Sequence, residues 1–459
     1  MAKFALVHIG NDEVYSLEFV AAEIANQGHE FKWFDGDPNG AEDGIIAWRP
    51  DVVCFSPLTT FFAPAVTVAR KIKAKAPGIR TAFGGAHISA SSNHVHTEGI
   101  DIAVTGPVYD TIDQLLNAPP KSVVHGHPVM PDQMNPRRRE YFETIERIGR
   151  RHRKALMSHF GCVYNCSYCA TSRTREAVGA KDYRTYYLTR RPVEAVIEEA
   201  RIFREFDTKE VALEDDDILE GAGAEEWLDE FIPLWKRDVN LPVYGNVTPK
   251  TVVGASDKMM RSLADLAQVV HMGVQVSRAE SLKLFNRQFQ KEDQVKAAFD
   301  RLKAFGVRTK LELIIGLPVE DPIGDAIDSI KMAQRVGAGT FAAAFPLMLY
   351  PGTALYKHCK DNGIPMNEDC SFEWYGGIGS IKFDPETERR LRNLSKLATF
   401  FIKYNVEERW MRAMMEMNLT EDASRAVSEN NYLESLIFRL GPEAESSFAE
   451  VLTYTNFRF

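Results

Sequence analysis

Cysteine is scarce in this chain, with 6 in 459 residues. The opening Met1-Ala2-Lys3-Phe4-Ala5-Leu6-Val7-His8-Ile9-Gly10 reads as a short β-strand, with no signal-peptide core or cleavage site. A secreted, disulfide-built fold is therefore not expected, and a cytoplasmic location is. No apolar run approaches the ~18 residues of a membrane span. An excess of positive charge is also missing: the net charge of −9 argues against general nucleic-acid affinity, and no nucleic-acid partner is expected. The chain does have ordinary globular composition and enough length for two or three domains with a large core.

Half of the cysteines are concentrated in one place. Cys162, Cys166 and Cys169 spell Cys-x3-Cys-x2-Cys within Ser158-His159-Phe160-Gly161-Cys162-Val163-Tyr164-Asn165-Cys166-Ser167-Tyr168-Cys169. A structural zinc site favours paired Cys-x2-Cys units with a second pair or a histidine, and the downstream Cys359 and Cys370 form no such pair. Three thiolates can instead hold three irons of a [4Fe–4S] cube and leave the fourth open to a substrate. A cluster that only carries electrons usually has four protein ligands. This spacing, with Tyr168 before the third cysteine, resembles the radical S-adenosylmethionine (SAM) enzymes.

The flanking segments predict an α/β fold. Strands are expected at Lys3–Ile9, 28–35, Asp51–Ser56, Arg80–Phe83 and Ile100–Val104, with helices at Val14–Gln27 and near Pro64–Lys75. This doubly wound, Rossmann-like unit covers residues 1–120, and ligands in such folds lie at the carboxyl ends of the strands. Residues 121–155 read as a Pro- and Arg-rich linker. Its runs Pro136-Arg137-Arg138-Arg139 and Arg150-Arg151-His152-Arg153-Lys154 are by default a solvated surface, with phosphate or acidic-substrate contact as the alternative. Strands at Lys154–Ser158, Glu210–Glu214, Val243–Asn246, Val269–Gln275, Lys310–Ile315 and Thr340–Leu347 predict a partial (β/α)6 barrel over 156–355. A mostly helical region, 356–459, follows. Its Met- and aromatic-rich Trp410–Met417 reads as packing surface.

The first unit is similar to a cobalamin-binding domain through Gly28-His29 with Asp35, Phe55-Ser56 with Thr59, Gly84-Gly85-Ala86-His87, and Asp101 to Gly106. The resemblance implies cobalamin contacts at Asn11, Asp12, Ser56, Thr59, Gly84, Gly85, His87 and Gly106. The Asp-x-His-x-x-Gly motif that supplies a lower-axial histidine is absent, since Gly10-Asn11-Asp12-Glu13-Val14-Tyr15 stands there. A base-off cofactor is implied, with its axial ligand open. Without the resemblance, the unit reads as a flavodoxin-like domain whose glycines only make turns.

Within the barrel, Glu214-Asp215-Asp216-Asp217, His271 to Ser277 with Phe285-Asn286-Arg287, Leu313 to Asp321, and Pro351-Gly352-Thr353 resemble the ordered SAM-contact elements of cobalamin-type radical SAM proteins. Tyr168, Asp215, Asp216, Gln275, Ser277, Arg287, Ile315 and Leu317 are the implied SAM contacts. Gln275 stands where the family has Glu, and Val319 where it has Gly. The bland alternatives are an acidic helix start for the aspartates and a surface ion pair for Arg287. The resemblance implies a methyltransferase acting on an unactivated carbon. One SAM would methylate the corrinoid, and a second would be split at the cluster to a 5′-deoxyadenosyl radical that takes a substrate hydrogen. Reduced flavodoxin or ferredoxin is the implied electron donor. Ring rearrangement without methyl transfer and a non-catalytic iron–sulfur sensor or electron carrier remain the alternatives. RNA methylthiolation generally brings further cluster cysteines in the first domain, where only Cys54 stands. The substrate, a small molecule or peptide side chain, has no readable code.

Overall fold

The computed structural model describes residues 1–37, 39–337, 340–367 and 379–440, so Cys370 lies outside the described residues. The chain begins with a parallel sheet of β1 (Lys3–His8), β2 (Glu30–Asp35), β3 (Val52–Phe55), β4 (Arg80–Phe83), β5 (Ile102–Thr105) and β6 (Ser122–His125). Their order is β2-β1-β3-β4-β5-β6. The continuous apolar runs of β1 and β3 are buried, as strands covered by helices on both faces require.

A second parallel sheet follows, of β7 (Arg153–Leu156), β8 (Glu210–Leu213), β9 (Val243–Val247), β10 (Ala267–Gln275), β11 (Arg308–Ile315) and β12 (Ala342–Pro346). Its strands lie in chain order, which is an open, partial (β/α)6 barrel. The open edge at β12 is covered by the helix Pro385–Lys403. There the Ser395 and Thr399 hydroxyls donate to the carbonyls of Ala344 and Ala342, each at 2.7 Å, taking acceptors that an edge strand would leave bare. Asp384 caps that helix, accepting from the amides of Glu386 and Thr387 at 3.1 Å. Helices Ala354–Asp361, Glu408–Met415 and Glu421–Leu440 complete the described C-terminal region. Among the described residues no helix is long and apolar enough to cross a membrane.

The span expected to be a linker is structured. It contributes β6 and the helices Arg138–Thr144 and Glu146–Gly149. Two of its basic residues also depart from the expected solvated surface. Lys154 is buried, its ammonium donating to the carbonyls of Ile148, Gly149 and Arg151 at 3.0, 2.9 and 2.6 Å; burial brings its pKa down to about 8.

Arg138 is buried at the junction of the two sheets. Its guanidinium meets Glu13, Glu18 at 2.7 Å and Glu199 at 3.3 Å, and lies 4.6 Å from the Tyr15 ring centre. Glu13 also accepts from the amide of Ala155 in β7 at 3.0 Å, and Arg191 pairs with Glu199 at 2.7 Å. Glu13, Tyr15 and Glu18 belong to the first unit, Glu199 and Arg191 to the barrel. Burial pushes the Glu18 carboxyl well up.

Replacing Arg138 by Met strands these acids. Chemical denaturation of Arg138→Met is expected to show a loss of about 3–5 kcal/mol. Acid stability has a second, separable source in His8, whose ring bonds the Gly10 carbonyl at 2.7 Å and the Tyr141 hydroxyl at 2.9 Å. Burial, then Arg147, lowers its pKa to about 4 from 6.5. The unfolded chain takes up that proton first, so stability present above pH 6.5 is lost as pH falls toward 4. His8→Gln should flatten that arm, worth on the order of 3 kcal/mol, in denaturation curves taken across this pH range.

Candidate functional site

The cysteine loop leaves β7 and is clamped from several sides. Asp215, at the end of β8, is buried and accepts from the amides of Ser158 and His159 at 2.7 and 3.3 Å and from the Ser158 hydroxyl. His159 Nδ1 and Arg190 reach it at 3.1 Å. Tyr183 OH accepts from the Cys162 amide at 2.7 Å and donates to the Cys162 carbonyl at 3.2 Å. Arg175 donates to the carbonyls of Cys162 and Val163 at 3.0 and 2.8 Å, and the Val163 amide donates to Glu220. On the far side, Ser167 bonds the carbonyls of Phe285 and Leu284 through its amide and hydroxyl, at 3.1 and 2.6 Å. Glu220, Tyr183, Arg175, Arg190 and His159 were not expected as site residues. For Glu220 the signal was an acid three residues past the Asp run; Tyr183 has none.

Protein side chains engage the loop's amides and carbonyls, which suits a cluster held through the thiols. Burial, then Glu220 and Asp216, pushes the Cys162 thiol well up, and burial raises Cys169. Metal binding must therefore displace protons here. Among the described residues no three His, Cys, Asp or Glu side chains close on one point as a single metal ion needs. A cube spreads its ligands over three irons, so the Cys-x3-Cys-x2-Cys loop still fits it.

The structure separates the expected SAM contacts into groups. Asp215 is consumed by the loop clamp. Its neighbour Asp216 is half-buried, accepts from Thr171 Oγ1 at 3.4 Å, and is pushed up to about 6 by burial and by Asp215 and Asp217. Arg287 is not a surface ion pair: it is buried, donating to Cys166 Sγ and Tyr168 OH, both at 3.3 Å, to the Gly273 carbonyl at 2.9 Å and to Gln290. Tyr168 packs on Phe285 with ring centres 4.4 Å apart, and shares an apolar cluster with Leu317. Gln275 closes β10 at φ +68°, and the Ser277 amide donates to Ser329 at 3.2 Å. Ile315 lines a small cavity with Gly316, Ile381, Phe383 and Leu391.

A cavity of about 130 Å³ opens at the carboxyl ends of β3, β4 and β5. Ser56, Gly84, Gly85 and Gly106 line it, with Cys54, Ala82 and Val104, under Ser16, Phe19 and Val20 of the helix Tyr15–Asn26. That volume is of the class that takes one aromatic ring (about 150 Å³ for benzene). The two glycines of the pair differ. Gly85 has φ +81° and a Cβ there would strike Ser56 Oγ, whereas a Cβ on Gly84 would meet only Val104, at 3.6 Å. Gly84 thus leaves space that a flat ligand can use. The other expected contacts lie outside this cavity. Asn11 and Asp12 are held by Arg147 and Arg151, at 3.5 Å in each case. His87 bonds Thr59 at 3.1 Å and His94 at 2.9 Å, and burial, then His94, keeps it neutral down to about 4.

Cavity and cysteine loop adjoin, since Phe19 of the cavity lining packs edge-on against Phe160 of the loop, ring centres 5.7 Å apart. The helix Gly85–Ala90 lies against Thr171–Val178, which begins two residues after Cys169. A family model described as the radical SAM superfamily matches residues 156–333. The chain carries a radical SAM domain. Such a domain works with a [4Fe–4S] cluster and SAM, and the residues around Cys162, Cys166 and Cys169 are where both would be held. Curated relatives include a tRNA-2-methylthio-N(6)-dimethylallyladenosine synthase of Thermotoga petrophila, 25% identical over 246 residues, and the chain spans about half the length of the relatives it matches. Among solved structures, the radical SAM methyltransferase TsrM from Kitasatospora setae, with tryptophan substrate and a SAM analogue bound, is 17% identical. It covers 80% of this chain and 78% of its own, with a TM-score of 0.63. The same enzyme with cobalamin and a [4Fe–4S] cluster bound aligns with the same score. The cobalamin-dependent SAM radical enzyme OxsB, 12% identical, covers 99% of this chain and 75% of its own, also at 0.63. The fold of the described residues, a doubly wound unit joined to a partial barrel, is similar to that of these enzymes.

The two aspartates should separate on mutation. Asp215→Ala leaves Arg190 and the loop amides without their acceptor, and iron content after anaerobic reconstitution should fall severalfold with loss of thermal stability. Asp216→Asn should keep iron and stability but weaken SAM binding in the radical SAM domain about tenfold, read by equilibrium binding.

Proposed function

We propose that the chain is a cobalamin-dependent radical SAM methyltransferase that places a methyl group on an unactivated carbon of a small molecule or peptide side chain. It would act in the cytoplasm with reduced flavodoxin or ferredoxin as electron donor. The observation that carries this reading is the apposition of the strand-end cavity of the first sheet to the cysteine loop of the second. When bound, the cluster supplies the electron that breaks SAM and the corrinoid supplies a methyl carrier.

The chain's own residues orient and enclose. Cys162, Cys166 and Cys169 hold three irons, with Arg287 donating to the Cys166 sulfur. Asp216, the aspartate left free by the clamp, accepts from the SAM ammonium in a charge-assisted bond. Gln275 and Ser277 face the polar part of SAM, and Ile315 and Leu317 its adenine. Ser56, Gly84, Gly85 and Gly106 admit the nucleotide tail of a base-off corrinoid, with Thr59 and His87 at the rim. Because Arg147 and Arg151 hold Asn11 and Asp12, these two shape the rim through backbone position rather than as free ligands. Enclosure between the two units keeps water from the reacting centre and holds both groups close to one substrate.

The tRNA methylthiolation named for the curated relatives is the second reading. Against it, Cys54 is the one cysteine of the first unit, and its buried thiol is pushed up to about 12, which suits a core residue better than a second cluster.

Anaerobic reconstitution with iron, sulfide and hydroxocobalamin should give about four irons per chain and a corrin absorption band. With SAM and reductant, the same sample should form both 5′-deoxyadenosine and S-adenosylhomocysteine. Deoxyadenosine alone would favour rearrangement, and neither product would overturn the proposal. Gly84→Phe, which fills the cavity at a position with room for a side chain, should lose the corrin band while still forming deoxyadenosine.

A further inference from the structure

The cysteine loop also has a solvent-exposed edge, around Val163 and Asn165. Cys166 is 7% exposed, whereas Val163 is 42% exposed and Asn165 is open to solvent. Between them Tyr164 stacks on Phe289, ring centres 4.9 Å apart and planes 15° from parallel. The Lys250 ammonium stands 5.9 and 5.7 Å from these two ring centres. Asn286 ties this surface to the loop by donating to the Asn165 carbonyl at 2.8 Å. Lys283 and Lys291, flanking Asn286 and Phe289 in sequence, are exposed. Among the described residues Lys250, Lys283 and Lys291 have no ion-pair partner, although many exposed charges of the chain do. The acids on the same elements are engaged: Glu280 with Arg278 at 3.9 Å, Glu292 with Arg335 at 2.7 Å, Asp300 with Lys296, and Asp293 with the Gln294 amide at 2.9 Å.

We propose that this face, an aromatic and aliphatic centre rimmed by Lys250, Lys283 and Lys291, is the docking surface for an acidic flavoprotein that delivers electrons to the cluster. The inference rests on the radical SAM reading and adds the place where the donor binds. One electron leaves the donor's reduced flavin, which is oxidised, and enters through this face to the cluster, which is reduced; no atom is transferred. Charge decides the orientation. A chain of net charge −9 repels an acidic partner at long range, so a local group of unpaired ammonium groups is what selects the approach. The centre is small and partly apolar, which suits a transient encounter rather than a permanent complex. Entry here also brings the donor to the backbone between Cys162 and Cys166.

The test uses the full-length, reconstituted protein with two reductants, reduced flavodoxin as the acidic flavoprotein and dithionite as a small molecule. Lys250→Glu combined with Lys283→Glu should slow flavodoxin-driven deoxyadenosine formation about tenfold or more at low salt and abolish its salt dependence. The dithionite-driven rate should stay within about twofold of the parent, and Lys250→Arg with Lys283→Arg should keep the flavodoxin rate. Unchanged flavodoxin rates in the Glu variant overturn the docking face. An equal loss with dithionite also overturns it, because the lysines would then be acting on the site itself. Absence of deoxyadenosine from the parent protein with dithionite is a different failure, that of the radical SAM reading.

Discussion

The buried guanidinium of Arg138 is the contact on which the arrangement of the two sheets turns. It joins the start of the helix Tyr15–Asn26, through Glu13 and Glu18, to the barrel helix carrying Glu199. A charge taken out of water is costly unless its partners are in place, so this contact favours the docking in which Glu13, Glu18 and Glu199 converge on it. In that docking the Gly85–Ala90 helix, at the carboxyl end of β4, meets Thr171–Val178 beyond the cysteine loop. A second approach comes from the turn at Gly352, whose added Cβ would strike the Ala90 carbonyl. Parallel sheets bind ligands at their carboxyl ends, and here two such ends are brought against each other.

The cysteine loop follows the same logic on a smaller scale. Its amides and carbonyls are taken by Asp215, Tyr183, Arg175, Glu220 and the segment Leu284–Asn286, and the Cys166 sulfur accepts from Arg287. Preorganisation of this kind matters because misplacement of a reacting group by an ångström can cost orders of magnitude in rate. Asp215 and Asp216 illustrate the division of labour: one carboxylate holds the loop, and its neighbour is left free near the cysteines.

What could be read in the sequence was whatever is local. The strand–helix alternation placed β1, β3, β4 and β5 within about two residues, because a buried parallel strand announces itself as a short apolar run closed by Gly or a polar residue. The Cys-x3-Cys-x2-Cys loop was legible for the same reason. β6 was not, being four residues, Ser122–His125, between Pro119-Pro120 and Pro128. Arg138 was taken for a solvated charge because Glu18, its partner, is 120 residues away. Nor can three consecutive aspartates reveal which one meets Ser158, His159 and Arg190. Gly84 and Gly85 look alike in sequence and both line the cavity, and only the Ser56 hydroxyl beside Gly85 shows that Gly84 is the one with room for a side chain.

On the proposed reading, corrinoid and cluster share one enclosed space in one chain. Electron paramagnetic resonance of protein loaded with both groups tests it directly. With paramagnetic cobalt and a reduced cluster in the same molecule, the account predicts cobalt lines broadened or split by the cluster relative to protein loaded with the corrinoid alone. Superposed, unperturbed signals from the two centres, or a corrinoid that does not bind, would contradict it.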